Sequence, residues 1–114
     1  MRPGDLLRVD LVLPERLDVS TVAEVRDALH LAMTASPSLD VVLDVSRVEV
    51  VDAAGLGLLV TAHRNCARLG RRLVLTDPRP RLLRLLAVTR LHRVLHLDRL
   101  GERAQPPAQD GAIA

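Results

Sequence analysis

The sequence predicts a single small α/β domain, a mostly parallel or mixed sheet of about four strands with helices packed on it, and three observations carry that expectation. Short Val- and Leu-rich runs lie at 6–13, 40–45 and 71–77, segments of helical periodicity separate them, and 114 residues leave room for one core only. Apolar residues make up 48% of the chain yet include no Phe, Tyr or Trp, so the interior has to be aliphatic. The same absence excludes the aromatic platforms on which single-stranded nucleic acid stacks.

The first strand is expected over 6–13, LLRVDLVL, closed by Pro14, which lacks a ladder donor. The first helix begins near Val22. Asp18, Ser20 and Thr21 are all candidate N-caps, and Thr21 with Glu24 has the spacing of a capping box. Val22, Val25, Leu29 and one of Ala32 or Met33 make the buried stripe, and Pro37 ends the helix or its loop. DVVLDV, 40–45, reads as the central strand, buried on both faces.

Asp52-Ala53-Ala54-Gly55-Leu56-Gly57 opens a second helix running to about Leu69, with Gly70 as its stop. Leu59, Ala62, Cys66 and Leu69 share one face of it, and Arg64, Arg68 and Arg71 share another. Residues 71–77 form the next strand. Pro78 and Pro80 then lead into a third helix anchored by Leu82, Leu85, Leu86 and Leu91. The alternation in 92–97 predicts a last strand with Val94 and Leu95 inward. From residue 101 the chain is rich in Pro, Gly and Ala, so a domain over 1–100 and a disordered tail over 101–114 are expected.

Charge is unevenly spread. Residues 1–56 hold 5 Arg against 10 acids, net −5, and residues 57–114 hold 11 Arg against 4 acids, net +7, within an overall +2. A basic face of this kind suits solvent or an acidic protein partner. No helix-turn-helix or zinc pattern accompanies it, so no nucleic-acid partner is expected.

Cys66 is the lone cysteine and falls on the apolar stripe, which makes it a core residue and rules out an internal disulfide. Of His30, His63, His92 and His96 only the last two have a metal-ligand spacing, i and i+4, and they fall in a predicted strand where that spacing does not suit a helix-borne site; no paired-carboxylate, Ser-His-Asp or phosphate-cradling pattern occurs. Gly55-Leu56-Gly57 is not a dinucleotide fingerprint. No cofactor, metal or enzymatic activity is therefore expected. The chain shows neither an apolar signal region nor an eighteen-residue apolar run, and the expectation is a cytoplasmic protein, a monomer or weak dimer, without membrane insertion.

The strand Val41 to Val45, the sequence Val51-Asp52-x-x-Gly55-Leu56-Gly57 opening a helix, and the later LVLTD with its Leu-rich helix resemble the STAS family, especially its anti-sigma factor antagonists. The resemblance covers residues 6–98. Glu15-Arg16-Leu17-Asp18 echoes a Gly-Glu-Leu-Asp turn of relatives without its Gly, and the family's extra first strand looks truncated. In antagonists of this kind a Ser or Thr at the start of the second helix is phosphorylated by a kinase-type anti-sigma factor, and the unphosphorylated form binds that factor.

The resemblance places Ala54 at the acceptor position, behind Ala53 where the family usually has a first Ser, and neither side chain can take phosphate. It implies a partner-binding surface of Asp18, Asp52, Ala53, Ala54, Gly55, Leu56 and Gly57, held in the binding form unless Ser46 or Thr61 substitutes as acceptor. The residues themselves leave alternatives open. Asp52 also reads as an N-cap and Asp18 as a cap for the first helix; Gly55 and Gly57 serve close packing or close approach of a partner, and Leu56 is either an exposed anchor or core. The second function the resemblance allows is a STAS regulatory subunit of an ABC-type membrane transport complex, docked through the same surface.

Overall fold

The computed structural model describes residues 8–35 and 40–98. In chain order these contain β1 (Arg8–Val12), β2 (Arg16–Leu17), α1 (Val22–Ala35), β3 (Asp40–Asp44), β4 (Val50–Val51), α2 (Ala53–Arg68), β5 (Arg72–Thr76), α3 (Pro80–Val88), a 3-10 turn at Leu91–Arg93 and β6 (His96–Asp98). The main sheet has the order β1-β3-β5-β6 with all neighbours parallel. Parallel neighbours need long crossovers, and the three helices supply one each.

Register explains the core. Leu11, Leu43, Leu75 and Leu97 align in one row across the sheet and Val41 with Leu73 in the next, all on the face that carries the hydrophobic cluster. Val25 and Leu29 of α1, Leu59, Ala62 and Cys66 of α2, and Leu82 and Leu86 of α3 complete it. The opposite face carries Val42 and Val74, both buried, between exposed Asp10 and His96, and an Arg72–Asp40 ion pair at 3.4 Å closes one end. The three middle residues of β3 are thus buried on either side, as its apolar run implies. Cys66 lies in this core, where burial pushes its thiol pKa up.

Several expectations need correction. Leu69 is 65% exposed, because α2 ends at Arg68 and Gly70, at φ +70°, turns the chain off the apolar stripe. Val94 is 44% exposed: the segment expected to alternate is wound as a 3-10 turn, and the last strand shrinks to 96–98 with Leu95 alone directed inward ahead of it. Leu91 packs against the core from that turn and not from α3. The short strands β2 and β4, which pair with each other in a second sheet, were not expected, being only two residues each. Residues 6 and 7, Pro37, the truncated first strand and the 101–114 tail lie outside the described residues.

Candidate functional site

Two distant segments converge at the start of α2. β2 and β4 run parallel, Arg16 beside Val50 and Leu17 beside Val51, and the N–H groups of Glu49 and Val50 both donate to the Glu15 carbonyl at 2.8 and 3.1 Å. This small ladder carries the Asp18 turn to the side of Asp52.

Asp52 fastens the two together. Its Oδ1 accepts from the Gly55 N–H at 2.9 Å, which caps α2, and its Oδ2 accepts from the Val19 N–H at 3.0 Å, 33 residues away in sequence. One carboxylate therefore caps a helix and ties down a loop. Capping is its observed duty, and the loop bond is a second one that spacing alone does not reveal.

The two glycines separate. Gly55 is buried, and a Cβ on it would sit 2.0 Å from the Leu17 carbonyl oxygen, so the close approach it permits is to its own chain. Gly57 is exposed, and a Cβ there would meet nothing within 4 Å. Of the residues assigned to partner binding, Gly55 is thus committed to the interior. Leu56 is half-buried and packs partly on the core, Ala54 is half-buried, and Ala53 is exposed.

Asp18 is also turned inward. Its Oδ1 accepts from the Ser20 hydroxyl at 2.5 Å and the Ser20 N–H at 3.0 Å, and its Oδ2 pairs with the Arg16 guanidinium at 2.8 Å. The Ser20 hydroxyl first, then the Ser20 N–H and Arg16, hold its carboxyl below the usual carboxylate range against the opposing effect of burial. Its own N–H donates to Thr21 Oγ1 at 3.1 Å and its carbonyl accepts from the Thr21 and Val22 N–H groups at 3.0 and 2.9 Å, so Asp18 closes the turn that leads into α1.

What this loop presents outward is Val19, 75% exposed. With Ala53 and Gly57, one helical turn apart on α2, it forms a ridge of small and apolar groups. Val19 was missed from sequence because a lone Val between caps carries no periodic signal. Ser46, a substitute acceptor in the sequence reading, is half-buried and its carbonyl accepts from Arg79 Nε at 2.7 Å, while Arg79 also pairs with Glu49 at 3.1 Å; Thr61 is exposed on α2. Among the described residues no three His, Cys, Asp or Glu side chains are grouped to hold a metal, and no helix is long and apolar enough to cross a membrane.

A family model described as "Mlab, STAS domain" matches residues 5–99. A crystal structure of a Thermotoga maritima protein, described as a candidate anti-sigma factor antagonist, is similar at a TM-score of 0.73 and 19% identity over 86% of this chain and 81% of that one. An NMR structure of the same protein gives 0.71 and 20% over 90% and 80%. The anti-sigma factor antagonist SpoIIAA in its unphosphorylated form is similar at 0.60 and 18% over 94% and 86%. At these identities the solved structures establish the fold.

Three outcomes follow from the joint at Asp52. Gly55→Ala should cost about 1–3 kcal/mol in urea unfolding through overpacking, while Gly57→Ala should gain up to about 1 kcal/mol from helix propensity. Asp52→Asn should keep slow hydrogen exchange at the Gly55 amide but speed it at Val19, since an amide NH₂ cannot accept there, whereas Asp52→Ala should speed both. The Asp18 contribution to stability, present above the ordinary carboxylate pKa, should fade as pH falls through its lowered value, and Asp18→Asn should flatten that part of an unfolding series between about pH 6 and about pH 2.

Proposed function

The chain belongs to the STAS domain family, and on that premise we propose that it is an anti-sigma factor antagonist-like binding module. It grips a kinase-type anti-sigma factor through the α2 N-terminus and the Val19 loop and so regulates sigma-factor-dependent transcription in the bacterial cytoplasm. Binding, with no catalytic step, is its whole task. The observation that carries this reading is Gly57: glycine within a helix costs about 0.5–1 kcal/mol against alanine, and no neighbour here requires it. Its use lies outside the molecule, where a missing side chain lets a partner backbone come close.

Ala54 removes the regulatory lever. A phosphate at that position would add close to two negative charges to the contact surface, and alanine keeps the surface permanently in the binding form. The same alanine favours, as the second reading, a STAS regulatory subunit of an ABC-type transport complex, for which docking needs no phosphorylation.

Titration calorimetry with the serine-kinase-type anti-sigma factor of the same genome tests the first reading against the transport ATPase. Ala53→Glu and Gly57→Ala should each weaken binding by about tenfold or more, roughly 1.4 kcal/mol, while the fold of each variant is retained. Ala54→Ser should become a kinase substrate whose phosphorylated form binds less tightly. Unchanged affinity in the Ala53 and Gly57 variants sinks the surface; binding to the ATPase alone moves the chain to the second reading.

A further inference from the structure

α1 and α2 leave between them an open cleft of about 560 Å³, beyond their first turns and away from the Ala53–Gly57 ridge. We propose that this cleft is a second docking groove, for an acidic amphipathic helix of a partner protein. Its volume falls in the range of about 300–1,000 Å³ typical of binding clefts. Leu29, Leu58 and Ala62 of the core form the floor, and Met33 and Leu69 form the shoulders. An exposed Leu69 serves no packing purpose inside the fold. It is placed to meet an apolar side chain from outside.

The rim is net cationic, chiefly on the α2 side: Arg68 ends α2 and Arg71 follows it beyond Gly70, while α1 contributes Arg26 beside Asp27, the one carboxylate among the lining residues. Arg71 Nη1 donates to the Met33 carbonyl at 3.2 Å, and the Asn65 side chain accepts from Arg68, so both guanidiniums are positioned before any partner arrives. Arginines at a helix C-terminus are also favoured by the helix dipole, which accounts for Arg68. Arg26, in the second turn of α1, has no such reason.

The form of the cleft selects the occupant. An apolar floor under a rim of three arginines and one carboxylate matches a helix with an apolar stripe flanked by carboxylates, the helix-in-groove mode. A fatty acid carries one charge and suits an enclosed tunnel, whereas this cleft is open and its charges are spread along it. Among the described residues a second copy of this chain offers no strongly acidic helix: α2 and α3 carry no Asp or Glu, and α1 only Glu24 and Asp27. The groove stands independently of the anti-sigma reading, because none of the ridge residues lines it.

The probe is a synthetic helical peptide with Leu at i, i+4 and i+7 and Glu on both flanks, compared by fluorescence anisotropy with the same peptide bearing Lys for every Glu, using the full chain. The acidic peptide should bind saturably and about tenfold or more tighter than its basic counterpart, the preference shrinking as salt screens the rim. Amide shifts should fall within 26–34 and 58–71 and spare residues 52–57. The double variant Arg26→Glu/Arg68→Glu should reverse the preference, and Leu69→Asp should abolish binding; all three positions are exposed, and circular dichroism checks that each variant is folded. Equal binding of both peptides, shifts confined to 52–57, or oleate saturating the cleft and displacing the peptide overturns the proposal and leaves the α2 N-terminal surface untouched.

Discussion

The carboxylate of Asp52 is the constraint on which the site depends. Its two oxygens accept from two backbone amides that belong to different elements, one in the first turn of α2 and one in the loop before α1. Both bonds are charge-assisted, and each satisfies a donor that a helix end or a tight loop would otherwise leave to solvent. Gly55 completes the joint from the other side, because only a residue without Cβ lets α2 settle against the Leu17 carbonyl. Without the carboxylate the loop keeps only the β2–β4 ladder and the Asp52 N–H donating to the Leu17 carbonyl, and Val19 loses the bond that fixes it beside Ala53 and Gly57.

Elements were legible in the sequence wherever a periodic apolar pattern ran long enough to average out local exceptions. β3, α2 and β5 are of this kind, and their buried rows meet in register across the sheet. Legibility failed where a single turn altered the period. Leu69 continues the stripe of Leu59, Ala62 and Cys66 on paper, yet the helix stops one residue before it. Val94 sits in an alternating string that the chain winds into a 3-10 turn. The site was read in outline from the Asp52 to Gly57 motif, but which side chains face outward was not. Gly55 and Gly57 are two residues apart and chemically identical, and only the position of the Leu17 carbonyl tells them apart.

Charge shows the same division between what is counted and what is presented. Five of the ten acids of the first half hold partners of this kind: Asp10 with Arg8, Asp18 with Arg16, Asp40 with Arg72, Glu49 with Arg79, and Asp52 on two amides. Two of these pairs, Asp40–Arg72 and Glu49–Arg79, join the acidic half of the chain to the basic half. Exposed pairs of this type stabilise by only about 0–1 kcal/mol each, so their larger effect is on the field around the molecule. Paired acids project little of it. Each pair cancels an arginine together with its acid and leaves the net +2 unchanged, and exposed arginines such as Arg26 and Arg64 share the helical layer with exposed Glu24 and Asp27.

The joint also bears on position 54, the acceptor position in the proposed reading. The α2 N-terminus has a limited set of unpaired amides and roughly half a positive charge, and Asp52 already draws on both. A phosphate on residue 54 would compete for the same field while standing beside the Asp52 carboxylate, so its repulsion would fall on the one group that ties Val19 to the helix. Modification there would act on the shape of the ridge as well as on its charge. With alanine no such group stands at position 54, and the Asp52 carboxylate keeps its bond to the Val19 N–H.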